Sequence, residues 1–316
     1  MLYKNSLKIL FSNFKNVWKS ALYFLGLAIV SIILIYICVR PIYSMLESSG
    51  FVAGLIDVYS SFMKSLNLEN LLLSIKDLGV ELLNILSSNI GALWINFLGI
   101  FCTVFVFDVF VANLSIMANC NSLNYYMGSM NENGFYMSYG DTLGKNIKVS
   151  IAHFFVSLPI KLIIVGLFVL SLKLFSLTWL WSVFAVFIII CMLVLLISFK
   201  TALFSAWVPT MVILNYGVWK SLKMSLKIVF KKFGRIYASA VGVVLTMMAV
   251  NVFLGLFTFG VGFIVSVPAT YMFISSFGMV VAFEGQGMRY YVDIYNVITP
   301  IKKERSDKIK EMKYIV

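Results

Sequence analysis

Two ionisable side chains, Asp108 and Lys161, sit inside long apolar runs of a 316-residue chain, and their types and placement are the ones that could do chemistry. A charge at mid-bilayer costs at least ~2.5 kcal/mol even on lenient insertion scales, so it persists only with a partner or a task. Asp108 lies about ten residues from the end of its run and Lys161 about ten residues into the next, which at about 1.5 Å per residue puts both roughly 15 Å from the same boundary. Equal depth allows an ion pair. Such a pair either fastens two neighbouring helices or belongs to a proton- or ion-coupled site, which would also need polar groups such as Asn96, Asn113 or Asn251. Pro159, two residues before Lys161, removes a backbone donor and can kink the helix there, freeing a carbonyl.

Other chemistry has less to work with. His153 is the only histidine. No cysteine or carboxylate stands at helical spacing from it, so the three or four ligands of a metal site are not assembled. One hydrogen-bond partner near the edge of its apolar run is the expected state. The chain carries no nucleophile elbow, phosphate loop, HExxH pair or paired-carboxylate cluster, so neither an enzyme nor a cofactor is expected. Gly260 and Gly262 read as part of a tight turn. Cys38, Cys102, Cys120 and Cys191 are scattered and do not form a disulfide framework.

The elements that must position these residues follow from composition. Hydrophobic residues make up 61% of the chain and charged residues 12%, with a mean hydropathy of +0.96. A soluble domain is nearer half apolar and a quarter charged, so too little polar material remains to coat a globule. The reading is an all-α polytopic transmembrane helix bundle. A span needs roughly 20 apolar residues. Six runs qualify, at about 20–39, 91–118, 151–172, 177–199, 237–257 and 262–283, the first closed by Arg40 and Pro41 and the last ended by Glu284.

Lysine and arginine are retained on the cytoplasmic side during insertion. Four basic residues precede the first span, two follow the second, seven run from Lys200 to Arg235 and seven follow the sixth, so 20 of 25 lie on one side. Both termini are therefore expected in the cytoplasm, and the net charge of +12 records threading rather than nucleic-acid binding. The first apolar run is too long for a signal-peptide core and no small-residue cleavage site follows it.

An internal repeat at an offset of 219 residues organises the spans. Lys4, Ser6, Leu7, Lys8, Ile9, Phe11, Phe14, Ser20 and Ala21 match Lys223, Ser225, Leu226, Lys227, Ile228, Phe230, Phe233, Ser239 and Ala240, nine identities in eighteen positions. At 100° per residue Leu7, Leu10, Phe11, Phe14, Val17 and Trp18 share a face, with Lys4, Lys8, Lys15 and Lys19 in a stripe beside it. The second copy pairs Leu226, Val229, Phe230, Phe233 and Ile236 with Lys220, Lys223, Lys227, Lys231, Lys232 and Arg235. Each copy reads as an interfacial elbow helix, its apolar face in the acyl boundary and its cations on the phosphates of the anionic cytoplasmic leaflet. Such elbows either anchor topology or recognise lipid. A degenerate third copy around Lys145 and Lys148 leads into Ile151.

Each elbow leads into a transmembrane hairpin, giving three hairpins, with tight turns at 173–176 and 258–260. The first hairpin carries a long insertion, about 43–89. Within it Leu68, Leu71, Ile75, Leu78, Leu82 and Ile85 alternate spacings of three and four, which predicts an amphipathic helix preceded by a shorter one near 51–66. This extracytoplasmic insertion caps the bundle, lies on the outer leaflet or binds a partner protein. The whole reads as a single integral membrane domain over 1–316, with a basic cytoplasmic tail at 285–316.

Three stretches carry a resemblance: AWVPTMVIL at Ala206 to Leu214, WKSLKMSLKIVFKKFGRI at Trp219 to Ile236, and SVPATYMF at Ser266 to Phe273. Across about 200–285 the chain resembles a loosely defined group of six-span bacterial membrane proteins that includes the membrane domain found beside some glycerophosphodiester phosphodiesterases. The resemblance implies a helical membrane architecture. It lends no activity, since no segment is polar enough to form the soluble phosphodiesterase domain. The expected function is binding of protein or lipid as an envelope or transport-associated subunit; the alternative is a small transporter or lipid-handling protein built on Asp108 and Lys161.

Overall fold

In a chain this apolar the backbone must close its hydrogen bonds on itself, and helices do so locally. The computed structural model describes residues 2–65, 67–106, 114–174 and 179–300, and these are helical almost throughout. The helices are α1 (Leu2–Ser12), α2 (Phe14–Ser48), α3 (Phe51–Ser65), α4 (Leu68–Ser88), α5 (Ile90–Val106) and α6 (Leu114–Ser129), followed by α7 (Phe135–Leu174), α8 (Trp179–Phe204), α9 (Trp207–Leu214), α10 (Val218–Lys231), α11 (Phe233–Phe257) and α12 (Phe263–Gln286). A two-stranded antiparallel hairpin follows, β1 (Tyr290–Tyr291) and β2 (Val297–Ile298), with Tyr290 opposite Ile298. Five helical stretches among the described residues are long and apolar enough to cross a membrane, or six if the bent pair of α4 and α5 counts as one. The protein is thus all-α, with the span-length helices that the composition demands.

Two helices extend well past the bounds read for their spans. Pro41 does not end the first helix: α2 runs through it to Ser48. A proline removes one backbone donor from a helix whose other bonds remain. The third span, expected from 151, belongs to a helix that already starts at Phe135 and passes through both the Lys145–Lys148 stretch and Pro159 without interruption. The added segment carries Ser138, Thr142, Asn146 and Ser150. They are spaced by four, so they form one stripe, and Ser138, Asn146 and Ser150 are buried. Asn146 Nδ2 donates to Thr142 Oγ1 at 2.8 Å.

The described residues fall into two compact units, one drawn from Met1–Leu25, Val109–His153 and Ile197–Val316, the other from Gly26–Asp108 and Phe154–Leu196. In the second unit α3 and α4 pack on each other. Asn67 caps α4, its side-chain oxygen accepting from the amides of Glu69 at 2.9 Å and Asn70 at 3.2 Å. Leu78 of α4 is buried and lies close to Gly54 of α3.

In the first unit α12 is the central element, packed by α1, α6, α9, α10 and α11. Met272, Phe273 and every residue from Ser275 to Phe283 are buried. Small residues let neighbours approach closely. At Gly278 a Cβ would lie 2.3 Å from the Ser205 carbonyl oxygen, and at Gly285 it would lie 2.2 Å from Ile228 Cγ2. The turn from α11 to α12 bends at Phe259 and Gly260, both with positive φ.

The elbows sit otherwise than the hydrophobic pattern suggests. Leu2, Asn5, Ser6, Ile9 and Leu10 form the buried face of α1, continued in α2 by Asn16, Val17, Ser20 and Ala21. Phe11 and Trp18 face outward, 65% and 56% exposed. Small polar residues bury cheaply here because they bond locally: Ser6 Oγ donates to Leu2 O at 2.8 Å, Asn13 Nδ2 to Ile9 O at 3.0 Å and Ser20 Oγ to Val17 O at 2.9 Å. Asn16 Nδ2 reaches across to Ser122 Oγ of α6 at 3.0 Å. At the offset of 219 the same positions are buried in the second elbow, Ser225, Ile228, Val229, Ile236 and Ala240, while Phe230 is 64% exposed. The helix breaks also match: α1 ends at Ser12 and α2 opens at Phe14, as α10 ends at Lys231 and α11 opens at Phe233.

Candidate functional site

The polar groups that the first unit draws together from most distant parts of the chain meet at Glu284, in the last turn of α12. Gly287 ends that helix in the left-handed region at φ 67°, and Met288 N donates to Phe283 O at 3.0 Å. This glycine cap reverses the chain. Tyr290 is thereby carried back against the helix end, fully buried, with its ring 5.7 Å from that of Phe283. Its hydroxyl donates to Glu284 Oε1 at 3.2 Å and accepts from Asn5 Nδ2 at 2.9 Å. Arg235 Nη2 lies 3.3 Å from Glu284 Oε2, the carboxylate side chain being 10% exposed and the arginine 45%. Four elements, α1, α11, α12 and β1, are joined through one carboxylate.

Helix electrostatics explain the pairing. The C-terminal end of a helix is partially negative and the N-terminal end partially positive. Glu284 at the end of α12 and Arg235 at the start of α11 are each of the wrong sign for their own helix. Because consecutive helices joined by a tight turn run antiparallel, those two ends are side by side, and each charge offsets the other's mismatch. Burial raises the Tyr290 phenol above its ordinary range, with the Asn5 hydrogen bond opposing, so the hydroxyl stays protonated and donates. The arrangement is a clasp of complementary donors and acceptors.

A second set of contacts fixes the β-hairpin. Asp293 Oδ1 accepts from the amides of Tyr295 at 2.9 Å and Asn296 at 2.8 Å, and the Asn296 side-chain amide bonds both carboxylate oxygens. The Asn296 amide is the main reason that the Asp293 carboxyl is held below the usual carboxylate range. Lys8 Nζ lies 3.8 Å from Asp293 Oδ2, and Lys15 pairs with Glu132. An open cleft of about 370 Å³ beside these pairs is lined by Ser12, Tyr126, Met130, Glu132, Asp293 and Tyr295 among others.

The residues singled out from sequence are placed as follows. Asp108 lies outside the described residues, as does Asn113. Lys161 lies in the middle of α7, its ammonium 4.4 Å from the centroid of the Phe154 ring. Asn251 Nδ2 bonds Thr270 Oγ1 at 3.0 Å, tying α11 to α12. The His153 ring meets Phe204 edge-on at 5.5 Å and lies tilted to Trp207 at 5.6 Å. Lys4, Lys8, Lys15, Lys19, Lys223, Lys227, Lys231, Lys232 and Arg235 are all exposed. They are not equivalent, since Lys8, Lys15 and Arg235 each face a carboxylate of the chain itself. Sequence reasoning used Glu284 only as the end of a span and missed Asn5 and Tyr290. The available signal was a lone acid at a span end opposite the last basic residue of an elbow. Compared with protein-family profiles, curated proteins and solved structures, the chain matches none.

Proposed function

We propose that the chain is a multi-pass integral membrane protein, with both termini cytoplasmic, that acts by binding protein or lipid as a subunit or accessory factor of an envelope or transport assembly rather than by catalysis. One observation carries the membrane reading. Along α2, Ile29, Val30, Ile32, Ile33, Leu34, Ile35, Tyr36 and Ile37 are all exposed, right round the helix. A helix that is apolar on every side calls for hydrocarbon around it. The binding reading draws on the clasp at Glu284, whose polar groups face one another, and on the packed pair α3 and α4. The matched breaks and matched burial of the two elbows favour an internal repeat, and the likeness across 200–285 favours the six-span bacterial group as its setting.

The runner-up, a small transporter or lipid-handling protein, draws on Lys161 in mid-helix. It is weakened because the two copies begin on the same side and are parallel rather than inverted. Affinity purification in mild detergent, with identification of retained lipids and proteins, separates the readings. A stoichiometric protein or a specific lipid is expected, and deletion of 60–88 should release a protein partner. A chain that purifies alone with bulk lipid, and moves a solute in vesicles with 60–88 deleted, would overturn the binding reading.

A further inference from the structure

We infer that the second elbow, α10, is a docking face for anionic phospholipid headgroups, and that the first elbow has diverged to hold the protein together. The inference rests on the membrane reading above. At 100° per residue Trp219, Lys220, Lys223, Lys227, Phe230 and Lys231 fall within an arc of about 120°. All six are exposed, Trp219 at 67% and Phe230 at 64%. The opposite face, Ser221, Ser225, Ile228 and Val229, is buried in the first unit. Protein packing thus fixes which side of α10 looks outward.

Charge separates the two elbows. No aspartate or glutamate occurs between Asn215 and Ile236. Among the described residues Lys223, Lys227 and Lys231 have no carboxylate within ion-pair distance, and Lys220 lies over the Tyr216 ring, 4.0 Å from its centroid. In the first elbow Lys8 faces Asp293 and Lys15 pairs with Glu132, so half of that lysine stripe is neutralised within the molecule. An unneutralised cationic row needs an anionic occupant.

Connectivity and the aromatic flanks select a lipid. Only Lys232 separates α10 from α11, one of the helices long and apolar enough to span, so the end of α10 lies at a membrane boundary. Trp219 and Phe230 border the lysine row along one edge of the same face. Aromatic rings at headgroup depth beside snorkelling lysines are the composition of an interfacial helix. An acidic protein surface would have no use for two exposed rings on that face.

The test uses the full chain reconstituted in vesicles of phosphatidylcholine with a one-fifth share of phosphatidylglycerol, then extracted gently and assayed for retained lipid by mass spectrometry. Wild type should retain phosphatidylglycerol above its bulk share. Joint Lys220→Gln, Lys223→Gln, Lys227→Gln and Lys231→Gln should return the ratio to bulk, because each lysine near an anionic surface contributes roughly fivefold. Joint Lys4→Gln, Lys8→Gln, Lys15→Gln and Lys19→Gln should leave most of the enrichment while lowering thermal stability. Arginine at the four α10 positions should keep it. For the unaltered protein, salt of about 1 M should abolish it by shrinking the screening length to about 3 Å. Equal loss from both glutamine sets, no response to salt, or an acidic protein retained in place of lipid would overturn the inference. Failure of the wild-type chain to stay in membranes after alkaline carbonate washing would instead overturn the membrane reading.

Discussion

Gly278→Ala should leave little folded protein, a loss of more than about 3 kcal/mol, because overpacking a site that cannot relax sits at the severe end of small-to-large changes. The added Cβ would lie 2.3 Å from the Ser205 carbonyl oxygen and 3.0 Å from Pro209 Cγ. The first of these is backbone, at the break between α8 and α9, and cannot swing aside as a side-chain tip would. Opening the gap by the needed ångström moves α12, the element against which α1, α6, α9, α10 and α11 all pack. The matched control is Gly144→Ala, an exposed position in α7 with nothing within 4 Å of the new carbon. It should be neutral or stabilising by up to about 1 kcal/mol, since alanine is the better helix former. Thermal unfolding of both variants in the same detergent, followed by size-exclusion profile, distinguishes them; equal behaviour would contradict the close approach.

The clasp gives the second large effect. Arg235→Met leaves the Glu284 carboxylate, 10% exposed, at the negative end of its own helix with no cation within ion-pair distance among the described residues. Removing one partner of a buried pair costs about 3–5 kcal/mol, and the half-exposed arginine here brings the expected loss to about 2–3 kcal/mol. Glu284→Gln still offers the Tyr290 hydroxyl an acceptor and frees an arginine that water already reaches, so about 1 kcal/mol is expected. Combining Arg235→Met with Glu284→Gln removes both charges and should recover most of the loss. Denaturant or thermal curves for the two single variants and the double variant give the coupling directly. Additive losses would show that the two residues do not act as a pair.

How much of this was legible beforehand differs by element. The apolar runs announce their helices, and the alternating three-and-four spacing from Leu68 to Ile85 lies within α4 (Leu68–Ser88). The turn at 258–260 was legible from the glycines. The elbows show the limit of hydrophobic periodicity. It counts Asn5, Ser6, Asn13, Asn16 and Ser20 as polar and turns them toward water, whereas each is buried with a hydrogen-bond partner inside the protein. Phe11, counted as apolar, is turned out instead. The clasp was illegible for another reason. Asn5, Arg235, Glu284 and Tyr290 come from three distant stretches, and only the antiparallel return of α12 beside α11 and the reversal at Gly287 bring them together. Proposals about Asp108 stand where the sequence left them.

The orientation of the elbows and of the insertion across one membrane is tested most directly by thiol labelling. Single cysteines at Ser12, Ser61, Phe259 and Ile294, all exposed, would be placed in a background with Cys38, Cys102 and Cys191 replaced. Cys120 can remain, fully buried with its thiol pushed up to about 12 by that burial. A membrane-impermeant maleimide applied to sealed inside-out vesicles should label positions 12 and 294 and spare 61 and 259, with the reverse in right-side-out vesicles. Labelling of 12 and 61 from the same side, or of all four from both, would contradict a membrane protein whose elbows and termini share the cytoplasmic face.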